Sequence, residues 1–349
     1  MTSADDAHAR TVLLAPDKFR GSLTAPEVVA AARAGAEELG WRVIERPMAD
    51  GGEGMLDAFG GANRTSTVTG PGGTAVEARW RFGEDRVAVV ESAAASGLQM
   101  AGGKEGNDPM TATSTGTGEL IAEAVLAGAR RVIVGLGGSA MSDGGTGAVT
   151  AVLDALDGQR PGDRGCELLA ACDVQTGFAD AAIVFGPQKG ASSQQIVELT
   201  GRLFEIQGEY VERFGVDVSG VPGAGAAGGL GGGLVALGGE LVPGLALVAG
   251  QVGLADAVAA ADAVVTGEGA LDAESFNGKV VGGVVDAAEP YGIPVVVVAG
   301  TVRPDAPEAR LSRLHVVDLS ETYGASASWD DTARCVASAV RAQLAALAP

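Results

Sequence analysis

Residues 131–147 read RVIVGLGGSAMSDGGTG. Val132, Ile133 and Val134 form a short run of β-branched residues, the composition of a buried strand. The run leads into Gly135, Gly137 and Gly138, then Ser139, then Asp143 followed by Gly144 and Gly145. Residues 147–156 are apolar enough to continue as a helix. Strand, glycine turn and helix is the geometry that lays backbone N–H groups and a helix N-terminus against an anion. Gly135-x-Gly137-x-x-Ala140 also fits the dinucleotide fingerprint, and Gly223-x-Gly225-x-x-Gly228 matches it again. Alone, such matches favour a nicotinamide cofactor only weakly. The decisive feature is that apolar strand, glycines and one or two carboxylates recur along the chain.

Working outward, five strands separated by helices or longer crossovers are expected at 11–16, 41–47, 261–266, 294–299 and 313–319. That alternation predicts an α/β fold with a flavodoxin-like five-stranded parallel sheet of order 2-1-3-4-5. The middle of the chain has a different texture. Residues 64–69, 75–82 and 86–91 alternate in short antiparallel runs, and strands are expected at 168–174 and 181–185. Residues 92–97 and 113–118 read as a loop and a turn. Thr24-x-x-Glu27 and Ser192-x-x-Gln195 are capping boxes opening helices. The expected organisation is therefore a discontinuous domain, 1–63 plus 257–349, interrupted by an inserted mixed α/β domain at 64–256, with an active site in the cleft between them.

Composition narrows the function. The 349 residues suffice for two domains. Their formal charge of −20, without a basic stripe, disfavours nucleic acid as a partner. No apolar run approaches the roughly 20 residues of a membrane span, and the N-terminal residues lack the apolar core of a signal peptide. Three cysteines, Cys166, Cys172 and Cys335, have no metal or redox spacing, so a reducing, cytoplasmic setting is expected. The two histidines, His8 in a polar tail and His315 in a strand, do not suggest a triad. Only Lys18, Lys104, Lys189 and Lys279 are lysines, and all but Lys104 stand in the glycine-flanked segments DKFRGS, PQKGAS and NGKV. A compact ammonium beside open backbone suits a phosphate or carboxylate.

In an open α/β sheet, ligands bind outside the carboxyl ends of the strands. Asp17, Lys18 and Arg20 should therefore face Glu268 and Asp272, with Ser139, Asp143, Asp173 and Lys189 brought by the inserted domain. Carboxylates, lysines and glycine turns without a histidine or cysteine centre suit phosphoryl transfer with Mg²⁺. Neither Lys104 nor Lys279 lies in a Walker A motif, and protein-kinase signatures are absent.

The ordered series APDKFRGSLTA, PMADGGEGMLDA, ESAAASGL, TGTGELIAEAVLAGARRVIVGLGGSAMSDGGTG, ACDV, FGPQKGAS, PGAGAAGGLGGGL and VVTGEGALDAESFNGKV resembles the type I glycerate kinase family. The resemblance spans about 11–301 and departs at Met141-Ser142, Ala270 and Asn277. It implies ATP-dependent phosphorylation of D-glycerate, with 2-phosphoglycerate as the favoured product. ATP and Mg²⁺ are the implied cofactors, and a homodimer is left open. The roles it implies are these. Asp143 or Asp173 is the base, and Lys189 is catalytic through charge neutralisation. Asp17, Lys18, Arg20 and Ser96 bind substrate. Gly137, Gly138, Ser139, Gly223, Gly225, Gly228 and Lys279 bind the nucleotide phosphates. Asp50, Glu53, Glu268 and Asp272 hold the metal. The alternative is a catalytically inactive protein that binds a small hydroxy acid on the same scaffold, motivated by the three departures.

Overall fold

A computed structural model describes residues 10–19 and 21–347; Arg20 and His8 lie outside them. Among these residues the strands are β1 (Thr11–Leu14), β2 (Arg42–Glu45), β3 (Arg64–Thr69), β4 (Ala75–Phe82), β5 (Val87–Glu91), β6 (Arg131–Gly135), β7 (Glu167–Ala171), β8 (Glu240–Val242), β9 (Ala263–Leu271), β10 (Val295–Val302) and β11 (His315–Asp318). The chain divides into two compact units. The first falls within Met1–Asp50, Asp57–Phe59 and Val248–Pro349, the second within Gly51–Leu56 and Gly60–Leu247.

The first unit is built on a five-stranded sheet in the order β11-β10-β9-β1-β2, all neighbours parallel. Counted within this unit alone, that order is 2-1-3-4-5. Val12, Leu13 and Leu14 are all fully buried, because a central parallel strand is covered on both faces. Val12, Leu14, Val265, Val296 and Val298 share a core with Val28, Val29 and Ala32 of the helix Ala25–Glu37 and with Val336 and Val340 of the helix Thr332–Ala346. At the start of the first helix the Glu27 carboxylate accepts from both the N–H (2.8 Å) and the hydroxyl (2.9 Å) of Thr24.

The second unit carries a six-stranded mixed sheet, β3-β4-β5-β6-β7-β8. β3, β4 and β5 pair antiparallel, and β5 through β8 run parallel. The helix Ser193–Phe214 begins at the Ser192/Gln195 capping box and buries Leu199, Leu203, Ile206 and Tyr210, a 3.6-residue spacing.

Several sequence expectations need correction. Residues 181–185 form the helix Ala181–Phe185, not a strand. Ala181 and Ala182 are buried while Ile183 and Val184 are 56% and 53% exposed, a one-sided pattern that strand alternation cannot produce. The expected loop and turn at 92–97 and 113–118 are partly helical, at Ala93–Ser96 and from Thr115 onward. β9 does not end at residue 266. It runs on through GEGAL, with Gly267, Glu268 and Ala270 opposite Val298, Ala299 and Thr301 of β10. The unit borders also differ from 63 and 257. Residues 51–56 join the second unit because the Gly54 and Leu56 N–H groups donate to the Glu91 carboxylate at 3.0 and 2.8 Å. A Cβ on Gly51 would meet Gly244 Cα at 2.6 Å, so that backbone contact is closed. The other border falls inside the helix Gly244–Val252.

In the first unit a Cβ on Gly35 would overlap the Ala337 carbonyl of the helix packed against it. Helix propensity alone favours alanine over glycine by about 1 kcal/mol. The close crossing reverses the sign. Gly35→Ala should lower stability by about 1–3 kcal/mol in urea unfolding, and a stabilised variant would contradict this packing.

Candidate active site

In the first unit, the turn after β1 is pinned to β9: Ala15 N–H donates to Val265 O (2.8 Å) and Asp17 N–H to Gly267 O (2.9 Å). Asp17 and Glu268 are thereby set side by side at the carboxyl ends of two neighbouring strands, where the strand order reverses. They line a cavity of about 830 Å³ together with Lys18, Asp50, Lys279 and Trp329.

This cluster is poorly compensated. Burial pushes the Glu268 carboxyl from 4.5 up to about 7; Asp17 and Asp272 add to the rise, and a Ser275 hydrogen bond and Lys279 oppose it. Its buried Oε1 has no hydrogen-bond partner. Burial likewise raises Asp17 to about 6, with Asp50 adding and Lys18 opposing. Lys18 Nζ lies 3.8 Å from Asp17 Oδ1, and Lys279 Nζ 3.5 Å from Asp50 Oδ2. Lys279 stands at the N-cap of the helix Val280–Ala288, where a cation opposes the helix dipole.

The proposed metal set does not assemble. Among the described residues no group of three or more His, Cys, Asp or Glu side chains could hold an ion. Asp272 is spent on its own turn, accepting from the N–H groups of Glu274 (2.9 Å) and Ser275 (3.1 Å). Glu53 belongs to the other unit. Asp50, Glu268 and Asp272 nevertheless line one cavity, and Mg²⁺ takes one or two carboxylates together with substrate phosphates.

The second unit holds a different cluster. Lys189 is 2% exposed and donates to Ser139 Oγ (3.0 Å) and Met141 O (2.6 Å). Burial lowers its pKa from 10.5 to about 7, with Asp143 opposing. Asp143 accepts four hydrogen bonds: its Oδ2 from Ser114 N, Ser114 Oγ and Gly147 N, its Oδ1 from Gly145 N. A carboxylate engaged by four donors is an anchor for the start of the helix Thr146–Ala155, and its lone pairs are not directed at a substrate proton. Asp173 Oδ1 accepts from Gly244 N at 2.9 Å. Ser96 is fully buried against Thr117 (Oγ to Oγ1, 3.0 Å), so it cannot reach a substrate in this conformation.

Of the glycines expected to cradle phosphate, Gly223, Gly225 and Gly228 are buried, with protein atoms on the side a Cβ would occupy. A Cβ on Gly223 would meet Cys172 Sγ at 2.8 Å, one on Gly225 would overlap Gly177 O, and one on Gly228 would overlap Met141 O and lie 2.9 Å from Lys189 Nζ. Gly137 faces Gly52 Cα at 3.0 Å in the same sense. Gly138, at φ +61°, supplies the left-handed turn that brings Ser139 to Lys189.

Sequence reasoning missed Arg303, Ser320, Ser328 and Trp329, which line the cavity of the first unit. Trp329 carried a usable signal: it is one of three tryptophans and lies in the polar segment ASASWDD.

These features define an open-sheet α/β protein with a cluster of carboxylates and lysines at the carboxyl ends of its strands. The model of the glycerate kinase family matches residues 12–159 and 153–346. The chain is 40% identical over 328 residues to glycerate 2-kinase of Escherichia coli (strain K12), covering 84% of this chain and 86% of that one. It is 37% identical to glycerate kinase of Bacillus subtilis (strain 168), with the same coverages. A solved Salmonella typhimurium LT2 structure assigned as glycerate kinase 2 superposes with a TM-score of 0.81 at 33% identity, covering 97% of this chain and 98% of that one. The chain belongs to the glycerate kinase family.

The Glu268 carboxyl makes stability depend on pH with a definite sign. Below 4.5 it is protonated in folded and unfolded chains alike; between 4.5 and about 7 only the folded chain keeps the proton. Stability should therefore fall as pH rises through that window. Glu268→Gln should flatten the fall, leaving the part that Asp17 contributes, as read from urea midpoints on either side of the window.

Proposed function

We propose that this protein phosphorylates D-glycerate with ATP, giving 2-phosphoglycerate and ADP. The observation that carries the reading is family membership over nearly the whole chain, at 40% identity to a protein named glycerate 2-kinase. The chemistry of the first unit is consistent with it. Lys18 and Lys279 are cations within reach of anionic oxygens in the cavity. Glu268 is a carboxyl whose proton affinity lies near neutral pH, as general-base catalysis requires.

The step is an in-line transfer. The glycerate 2-hydroxyl oxygen attacks the terminal phosphorus, the bond to the ADP oxygen breaks, and the hydroxyl proton passes to Glu268. Lys18 and Lys279 offset the charge on the moving phosphoryl oxygens. Asp50, Glu268 and Asp272 are the cavity carboxylates that could share Mg²⁺ with the nucleotide phosphates, and the ion would offset phosphate charge there. Asp143 and Lys189 take positioning roles: the first anchors a helix start, the second ties Ser139 to the Met141 carbonyl.

ADP release coupled to D-glycerate addition tests the activity, and phosphorus NMR of the product distinguishes 2- from 3-phosphoglycerate. Glu268→Gln should lower kcat by roughly 10²–10⁴-fold with the circular dichroism spectrum unchanged. It should also remove the rising limb of the kcat–pH profile near neutrality. Wild-type turnover in that variant would reject Glu268 as the proton acceptor.

A further inference from the structure

The cavity of the first unit is too large for its smallest candidate ligand. About 830 Å³ lies in the upper part of the range for drug-sized ligands. At about 30 Å³ per water it holds roughly 28 waters' worth of space, and a three-carbon acid fills a small part of that. The cavity also has two chemistries. Asp17, Lys18, Glu268 and Lys279 line it beside β1 and β9. Past β11, Ser320, Ser328 and Trp329 line it. Trp329 is 61% exposed, whereas Trp41 and Trp80 are 7% and 1% exposed. A large ring left in solvent beside a polar cavity is an unmet apolar surface.

Trp329 is also held. It lies in the helix Ala325–Asp330, and Thr332 Oγ1 donates to its carbonyl at 3.0 Å. One ring edge sits over Gly21, where an added Cβ would come within 3.0 Å of the ring. A fixed, exposed aromatic ring at one end of a cavity and lysines at the other suit a ligand that is planar and apolar at one end and polyanionic at the other. Glycerate has no planar part, whereas a purine nucleoside di- or triphosphate has both.

We propose that this cavity seats the nucleotide, with the purine ring stacked on Trp329 and the phosphates directed to Lys18 and Lys279. The proposal rests on the kinase reading and deepens it. It moves the nucleotide from the glycine turns of the second unit to the first. It also adds a residue that phosphoryl chemistry alone would not reveal.

Trp329 supplies its own probe, because the other two tryptophans are buried. Titrating the full chain with ADP in the presence of Mg²⁺ should change the tryptophan emission in a saturable way, and D-glycerate alone should not. Trp329→Leu should abolish the change and weaken ADP binding in calorimetry by about ten-fold or more; Trp329→Phe should restore most of the affinity. ADP binding of wild-type strength in Trp329→Leu would overturn the proposal. So would a saturable response to glycerate in place of ADP. The kinase reading is scored separately by ATP consumption with glycerate. Turnover with Trp329 silent to ADP removes this nucleotide site and leaves the kinase. An ADP response without turnover leaves the nucleotide site and removes the kinase.

Discussion

The site depends on how β9 is paired. Most parallel strands of this sheet stop where their turns begin, but β9 continues beside β10 through Gly267, Glu268 and Gly269. Two close backbone approaches permit this. A side chain on Gly267 would overlap the Val298 carbonyl, and one on Gly300 would overlap Gly269 O. Glu268 is thus delivered on a rigid strand, next to the Asp17 turn, with one oxygen buried and unpartnered. Ionising a carboxyl there costs the folded state free energy. That cost raises its proton affinity to near neutral pH.

In the second unit the polar groups are internally satisfied. Asp143 is surrounded by four donors, and Lys189 is clasped between a hydroxyl and a carbonyl under the Gly228 turn. Removing Lys189 would leave Ser139 Oγ and Met141 O in an apolar interior without their donor, a loss that buried polar groups feel strongly. The abundance of glycine in 223–233 follows from the same packing. Gly225, Gly228 and Gly232 each stand where a Cβ would strike Gly177 O, Met141 O or the Phe178 ring. The glycine-rich turn is therefore a device for bringing backbone against backbone around a buried ammonium.

Much of the fold was legible because its signals are local. The apolar run at 12–14 and the β-branched runs at 132–134 and 295–298 read as buried strands. Thr24/Glu27 and Ser192/Gln195 read as helix starts. The carboxylates after β1 and in β9 followed from the rule that open-sheet ligands bind at the strand ends. What failed depended on tertiary partners. AAIVF at 181–185 has strand composition, yet two alanines packed inward make it a helix. GEGAL looks like a turn until β10 is beside it. The convergence of Ser114, Gly145 and Gly147 on Asp143 could not be read from its sequence context either. Trp329 lies some sixty residues from Glu268 in sequence, and no periodicity joins them to one cavity.

The central claim is that Glu268, held on β9, carries a proton near neutral pH. The direct measurement is a carbon-13 NMR titration of the side-chain carboxyls in glutamate-labelled protein, with the Glu268 signal identified by its loss in Glu268→Gln. The account predicts a midpoint at about 7 for that carboxyl. A midpoint at its ordinary value of 4.5 would contradict it, and with it the assignment of Glu268 as proton acceptor.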